Sequence, residues 1–249
     1  MSQDHAHLRG FDIVELRRYS IAPGQADRFG AWFDAYFPEA FEQLGALVVG
    51  QFVERREPDR FFWLRGYRRM DDRPVVNSAF YYGPVWREHR GKIRSILLDS
   101  RNALLMQAVP GHPVPVLPAV DPLGDAGAAR GTLVVQLLPV VPDREDEAVA
   151  ALAGVAAGYP REALLDAGLL RTLDEPNNYP QLPLRTDVPW VAWIGLVRDD
   201  DALRGLEAAM DAAEQALQAG GWLRGPAERI VAAPTPRSRL RWPGADAAR

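Results

Sequence analysis

Two stretches of this chain share one order of predicted elements, and that order restricts the fold more than any single motif does. In the first stretch, residues 11–21 alternate between apolar and polar side chains, which is typical of a strand. Apolar residues then recur at steps of three and four, as on a helix packed against a core. Pro38 lies inside that stripe and predicts a kink, because proline removes one backbone donor. The members of the stripe are Phe29, Trp32, Phe33, Tyr36, Phe37, Ala40, Phe41 and Leu44.

The rest of the first stretch predicts a hairpin, a helix and a last strand. Residues 47–54 and 60–67 are rich in β-branched and aromatic residues and are separated by a short polar turn. Residues 71–82 fit a short helix less clearly, and a clear helix begins near Pro84, a first-turn position that tolerates the missing donor. A strand at 102–109 completes the order strand, helix, strand, strand, helix, strand. This is a ferredoxin-like α+β unit, with its helices on one face of an antiparallel sheet.

The same order returns after residues 110–130, which are rich in proline, glycine and alanine and predict a linker. The second set of predicted elements is a strand at 132–140, a helix from about Asp143, strands at 169–173 and 190–197, a helix at 200–219 and a strand at 229–233. We therefore predict two ferredoxin-like (βαββαβ) halves, at 11–109 and 131–235. Burial of their open sheet faces against each other gives an intrachain pseudo-dimeric α/β barrel.

Charged and aromatic side chains share one face of the first strand and one face of the second hairpin strand, because side chains alternate across a strand. These six residues are Glu15, Arg17, Tyr19, Trp63, Arg65 and Tyr67. Val14 and Leu16 lie on the opposite face of the first strand. We expect the helices to cover that apolar face, which sends the six charged and aromatic side chains into the space between the two sheets.

Charges in such an interior need partners. An unpaired charge is costly at low dielectric, so Glu15 should pair with Arg17 or Arg65. One interpretation is a structural ion pair beneath aromatic packing, which is the commoner arrangement. The other is an anionic or carbonyl ligand held by an arginine, and it makes all six residues candidates for ligand binding.

Composition excludes several classes of function. The chain has no cysteine, which rules out disulfides, thiolate metal sites and a cysteine nucleophile. A formal net charge of −4 gives no long-range attraction to nucleic acid, and the basic tail with Arg237, Arg239 and Arg241 is interpreted as a solvated terminus. No apolar run is long enough to span a bilayer and no secretory-signal pattern is visible, so a cytoplasmic protein is expected.

Histidines offer little catalytic potential. His89 lies on the apolar stripe of the helix that begins near Pro84, and it is the one candidate for a catalytic acid or base, although a core role is commoner there. His5 and His7 lie near the N-terminus and His112 lies in the linker. No group of histidines and carboxylates has the spacing of a metal site, so neither a metal nor a cofactor is expected.

The connection at 174–189 is long for a compact domain, and such connections often act as lids, binding loops or interface arms. Asn177, Asn178, Tyr179 and Arg185 could contact a ligand at the mouth of the barrel. The alternative, which we favour slightly, is that the loop packs against a partner subunit and the chain forms a homodimer.

The first half resembles the NIPSNAP family of the dimeric α/β-barrel group. The resemblance covers residues 11–109 and rests on four stretches: ELRRYSIAPG at 15–24, LGALVVGQF at 44–52, FFWLRGY at 61–67 and PVWREHRGKIRSILLDSRNALL at 84–105. It implies the barrel fold, an intracellular protein and kinship with barrels that include cofactor-independent monooxygenases. It supplies no catalytic motif that maps onto this chain.

Three functional hypotheses follow. The leading one is a protein that binds a small molecule between the two sheets. The second is a cofactor-independent monooxygenase or isomerase acting on an aromatic or polyketide-like compound, and the third is a structural interaction module.

Overall fold

The computed structural model describes residues 8–115, 117–120 and 130–242, and the elements follow the predicted order twice. The first half contains β1 (Ile13–Ile21), α1 (Ala26–Tyr36), α2 (Pro38–Gln43), β2 (Leu47–Glu54), β3 (Arg60–Tyr67), α3 (Asp72–Tyr81), α4 (Pro84–Ile96) and β4 (Leu97–Ala108). The second half contains β5 (Thr132–Pro139), α5 (Glu145–Ala156), β6 (Leu164–Thr172), β7 (Trp190–Val197), α6 (Asp200–Ala219) and β8 (Glu228–Pro234). His5, His7 and the linker residues 116 and 121–129 lie outside the described residues.

The strands close into one antiparallel barrel with the order β1-β3-β2-β8-β5-β7-β6-β4. β2 pairs with β8 and β4 pairs with β6, so main-chain hydrogen bonds join the two halves at both seams. Each of these strands therefore has two bonded neighbours, which protects its backbone groups from pairing with other chains. The prediction of two ferredoxin-like halves in an intrachain barrel is confirmed.

Aliphatic side chains from both halves occupy the barrel interior. Val14 and Leu16 of β1 belong to one buried cluster with Val135 of β5 and Ile194 of β7. Burial of each such side chain contributes about 1.5–3 kcal/mol, whereas an unpaired charge in the same place would cost several kcal/mol. The aliphatic face of β1 therefore turns inward. The space between the sheets, where we expected a ligand, is occupied by this cluster.

The charged and aromatic face of β1 and β3 lies outside the barrel, beneath the helices of the first half. Tyr19, Trp63 and Tyr67 pack there with aromatic side chains of α1. Glu15, Arg17 and Arg65 share that face and are fully buried. The prediction that these six side chains enter the space between the sheets is wrong. Because both faces of β1 are buried, alternation distinguishes the two faces but does not tell which layer covers each one.

The aromatic stripe of the first half forms two helices instead of one kinked helix. α1 ends at Tyr36, and Pro38 begins α2, where its missing donor breaks no helical bond. The amide of Phe41 still donates to the carbonyl of Phe37 at 3.0 Å, so the chain keeps its helical course across the break. Phe33, Phe37 and Phe41 consequently remain on one face, against the sheet.

The C-terminal segment at 235–242 packs back on the first half, which corrects the expectation of a solvated tail. Arg239 Nη2 donates to Glu42 Oε1 at 2.7 Å, and Leu240 is buried. Asp34 of α1 accepts from the Thr235 hydroxyl at 2.8 Å and from Gln51 Nε2 at 2.7 Å. The segment at 235–242 is thus held against α1, α2 and β2. Across the described ranges, none of the helices has the length and apolarity needed to cross a membrane.

Candidate functional site

A cluster of one carboxylate and three guanidinium groups lies beneath the helices of the first half. The register of β1 and β3 places Glu15 beside Arg65, and Arg17 lies two residues along the same face of β1. Arg73 enters from α3, and its Nε lies 2.5 Å from Glu15 Oε1. Arg17 Nη1 lies 3.4 Å from Glu15 Oε2, to which Arg65 Nη2 also donates. All four side chains are wholly buried.

The charges in this cluster do not balance. Burial alone would raise the pKa of Glu15, but the positive charges of Arg65, Arg17 and Arg73 together hold it well below its ordinary value. Glu15 is therefore ionised at neutral pH. One carboxylate neutralises one of the three guanidinium groups, and within the described part of the chain these arginines have no other ion-pair partner. The cluster carries excess positive charge.

Aromatic rings and amide oxygens accommodate part of that excess. The Arg65 guanidinium carbon lies 4.7 Å from the ring centroid of Phe41 and 5.0 Å from that of Trp63, and cation–π contacts of this kind strengthen when water is excluded. Arg73 Nη1 donates to Asn177 Oδ1 at 2.8 Å and to Asn178 Oδ1 at 3.1 Å. Donors of Arg65 and Arg73 nevertheless stay without an acceptor in the described chain: Arg65 Nε, Arg65 Nη1 and Arg73 Nη2.

A cavity of about 440 Å³ lies next to the cluster, between the sheet of the first half, α1, α3, α4 and the loop at 174–189. Most of its wall is aromatic. The aromatic lining residues are Tyr19, Phe29, Phe33, Phe37, Phe41, Trp63, Phe80, Tyr81, Tyr82, Trp86 and Tyr179. These rings can stack on an aromatic ligand or meet it edge to face. Each such contact contributes about 0.5–1.5 kcal/mol beyond the free energy gained by burying apolar surface. The cavity is thus suited to a flat, unsaturated molecule.

Hydrogen bonds connect the cluster to the wall of this cavity. Arg17 Nε donates to the Tyr19 hydroxyl at 3.1 Å, and Arg17 Nη2 donates to the carbonyl of Ser100 at 3.1 Å. Tyr19 and Ser100 both line the cavity, as does Trp63, whose Nε1 has no acceptor in the described chain. Burial raises the pKa of Tyr81 to about 12, so this lining phenol stays protonated at neutral pH. The wall therefore offers hydrogen-bond donors.

The mouth of the cavity is cationic. Arg87, Arg90 and Arg94 project from α4 at a spacing of three and four residues, which places them on one side of the helix. They are exposed. Among the described residues that line the cavity there is no aspartate, glutamate or histidine. Over the ranges with described coordinates, no group of three or more potential metal ligands is found either.

The predicted site residues fall into three places. Tyr19, Trp63 and Tyr179 line the cavity. A second set lies behind its wall and consists of Glu15, Arg17, Arg65 and Tyr67. His89 is elsewhere: its ring stacks on Tyr36 with centroids 3.6 Å apart, and it is not a lining residue.

The loop at 174–189 reaches the same cavity from the second half. Asn178 Nδ2 donates to the carbonyl of Met70 at 2.8 Å while its oxygen accepts from Arg73. Tyr179 is buried, and it lines the cavity together with Leu182. Arg185 lies apart and pairs with Glu228 at 2.9 Å. The loop thus closes one side of the cavity from within the chain.

Sequence reasoning missed Arg73 and the three mouth arginines. Arg73 lies in a segment whose helical pattern is weak, so its direction could not be predicted. Arg87, Arg90 and Arg94 do show helical spacing in the sequence, and that spacing was the available signal.

The second half provides an internal comparison for the charged cluster. β5 pairs with β7 as β1 pairs with β3, so the registers align the two halves. The positions of Glu15, Arg17, Trp63 and Arg65 are taken in the second half by Val134, Gln136, Trp193 and Gly195. A Cβ on Gly195 would lie 2.2 Å from the Trp193 ring, so that ring covers the strand where the first half has an arginine. The same architecture therefore folds without these charges.

Comparison with known proteins defines the class of this fold. No family model matches the sequence, and no curated protein matches it. The chain is similar to the structure of a candidate monooxygenase from Fusobacterium nucleatum, with 10% identity, a TM-score of 0.59, and coverage of 93% of this chain and 97% of that one. It is similar to an anthrone oxidase-like protein with 14% identity, a TM-score of 0.59, and coverage of 96% and 98%. At these identities the likeness establishes the fold, an α+β barrel.

NIPSNAP proteins, which the first half resembles in sequence, are also among the matching structures. One is a NIPSNAP-like domain protein from Burkholderia xenovorans, with 23% identity and a TM-score of 0.39. The match covers 46% of this chain and 98% of that protein.

Proposed function

We propose that this chain binds a small aromatic molecule in the helix–sheet cavity of its first half. The observation that carries the proposal is the cavity itself, whose volume of about 440 Å³ and largely aromatic wall suit a ligand of a few fused or linked rings. Cavities that hold small molecules commonly combine such walls with a few fixed polar groups. Here Tyr19, Trp63 and Tyr81 supply the polar groups.

The charged cluster supports a binding role over a purely structural one. A buried ion cluster with excess charge costs free energy compared with apolar packing of similar volume. The second half carries apolar or neutral residues at the corresponding strand positions, so the fold does not require a buried ion cluster there. Arg17 instead serves the cavity by bonding to Tyr19 and Ser100 in its wall. These contacts fix the positions of Tyr19 and Ser100 in the wall.

Oxygenation or isomerisation of the bound molecule is the second candidate. The structural neighbours include proteins named for monooxygenase and anthrone oxidase activity. Against it stands the lining of the cavity, whose described residues include no carboxylate or imidazole to remove a proton at neutral pH. Binding is therefore the better-supported function, and turnover requires a substrate that ionises readily beside Arg17 and Tyr19.

Titration with N-phenyl-1-naphthylamine, a neutral aromatic fluorophore, tests the binding proposal. We expect saturable binding to the wild-type chain and strong loss of affinity in Leu182→Trp, because the indole would occupy the cavity. Leu165→Trp is the matched control, since Leu165 is exposed on β6 and does not line the cavity. Absence of saturable binding, or equal affinity in the two variants, would refute the proposal. Product formation from the bound compound under oxygen would favour the second candidate.

Three expectations from the sequence stay predictions. These are a homodimer, a cytoplasmic location and the lack of nucleic-acid binding. Light scattering of the purified chain checks the first of them directly.

A further inference from the structure

We propose that the ligand of this cavity is an aromatic anion, whose acidic group is held at the mouth by Arg90 and Arg94 of α4. The inference rests on the proposed function and adds the charge of the ligand to it. Guanidinium groups bind carboxylates, sulfonates and phosphates through paired N–H donors, so any of these acidic groups fits.

Of the three arginine side chains at the mouth of the cavity, one is hydrogen-bonded within the described chain and two are not. Arg87 uses its guanidinium on a main-chain acceptor, since Nε donates to the carbonyl of Tyr82 at 2.9 Å. No carboxylate in the described chain lies within ion-pair distance of Arg90 or Arg94, and neither makes a described side-chain hydrogen bond. The Arg94 guanidinium carbon lies 5.9 Å from the ring centroid of Trp86, a residue of the cavity wall. These two guanidinium groups are available to a ligand.

Exposed arginines elsewhere on the surface are of two kinds. Several pair with a carboxylate at 3.1 Å or less, among them Arg55, Arg69, Arg101 and Arg204. Others, among them Arg9, Arg28, Arg130 and Arg224, have no carboxylate within ion-pair distance in the described chain, so what distinguishes Arg90 and Arg94 is that they line the cavity. Glu88, the acidic residue of α4, lies 4.0 Å from the His89 ring and does not line the cavity.

The interior end of the cavity is positively charged, as its mouth is. Glu15 leaves the cluster of Arg17, Arg65 and Arg73 with excess positive charge behind the wall. The lining residues within the described part of the chain add no negative group. A ligand with an acidic group therefore meets attraction at both ends of the cavity, whereas a cationic ligand would meet repulsion at both.

Two fluorescent probes with one aromatic body test the inference. 8-Anilinonaphthalene-1-sulfonate carries an acidic group that N-phenyl-1-naphthylamine lacks, so the ratio of their dissociation constants measures selectivity for the anion. We expect the sulfonate to bind more tightly to the wild-type chain. Arg90→Ala and Arg94→Ala should each weaken sulfonate binding by about two- to fivefold, the range for exposed ion pairs, and leave the neutral probe unchanged.

Arg204→Ala is the matched control, because Arg204 is an exposed, ion-paired arginine on α6 that is remote from the cavity lining. Its selectivity should equal that of the wild type, and thermal denaturation should show that all variants are folded. Equal selectivity in wild type and in the Arg90→Ala, Arg94→Ala double variant would overturn the inference while the proposed function survives. Failure of the neutral probe to bind would overturn the proposed function, and this inference with it.

Discussion

Arg73 Nε lies 2.5 Å from Glu15 Oε1, although 58 residues separate the two in sequence and both side chains are wholly buried. Arg73 also donates to Asn177 and Asn178. A single guanidinium thus joins β1, α3 and the loop that arrives from the second half. This link holds one wall of the cavity in place, since Tyr179 follows directly in that loop.

Glu15→Gln should be strongly destabilising. The substitution removes the carboxylate that neutralises Arg17, Arg65 and Arg73, and loss of one member of a buried ion cluster typically costs about 3–5 kcal/mol. Urea denaturation measures the change in the free energy of unfolding. Asp201→Asn is the control, because it breaks only the exposed pair with Arg204 and should cost less than about 1 kcal/mol. Equal costs for the two variants would contradict the cluster as described.

The free energy of unfolding should fall as the pH is lowered, because Glu15 becomes protonated. Its pKa is below the ordinary value in the folded state, so the unfolded state takes up this proton first. The cluster stabilises fully above the ordinary glutamate pKa of about 4.3, and that contribution declines as the pH falls below it. The stability difference between wild type and Glu15→Gln should therefore shrink from neutral pH toward about pH 3. Asp34, whose pKa burial raises, titrates in both proteins and cancels. A pH-independent difference would argue against an ionised Glu15.

Arg73→Met should loosen the loop at 174–189. The methionine fills part of the space but gives up the hydrogen bonds to Asn177 and Asn178, so hydrogen exchange across the loop should accelerate. Arg69→Met serves as the control, because Arg69 is exposed and pairs with Asp72 one turn away. Unchanged exchange in Arg73→Met, or equal acceleration in both variants, would show that this arginine does not anchor the loop.

Asp34→Ala should detach the C-terminal segment. Gln51, Thr235 and the amide of Arg237 all donate to Asp34, and leaving such buried donors without an acceptor costs about 2–3 kcal/mol in total. Asp27→Ala in the same helix removes an exposed carboxylate and should cost less than about 1 kcal/mol. Limited proteolysis should cut the segment at 235–242 faster in Asp34→Ala alone. Equal cleavage rates would mean that other contacts hold the segment.

The element order was predictable because helix and strand periods are local properties of the sequence. A pair between Glu15 and either Arg17 or Arg65 was predictable too, since a buried charge needs a partner, and the structure pairs Glu15 with both. Whether the helices or the barrel interior cover the face of β1 that carries Glu15 was not predictable. Val14 and Glu15 are both buried, and alternation does not distinguish between two buried faces. Arg73 could not be placed, since its contact with Glu15 depends on how α3 docks. Both the covering of the Glu15 face and the position of Arg73 depend on tertiary packing, which the local sequence pattern does not determine.

The most direct test of the central claim is a crystal structure with N-phenyl-1-naphthylamine bound. The claim is that the first half binds aromatic molecules between its helices and its sheet. We predict ligand density bounded by Trp63, Trp86 and Tyr179, with the aliphatic barrel interior unchanged. Density inside the barrel beside Val14, or an empty helix–sheet cavity in crystals saturated with the probe, would contradict the account.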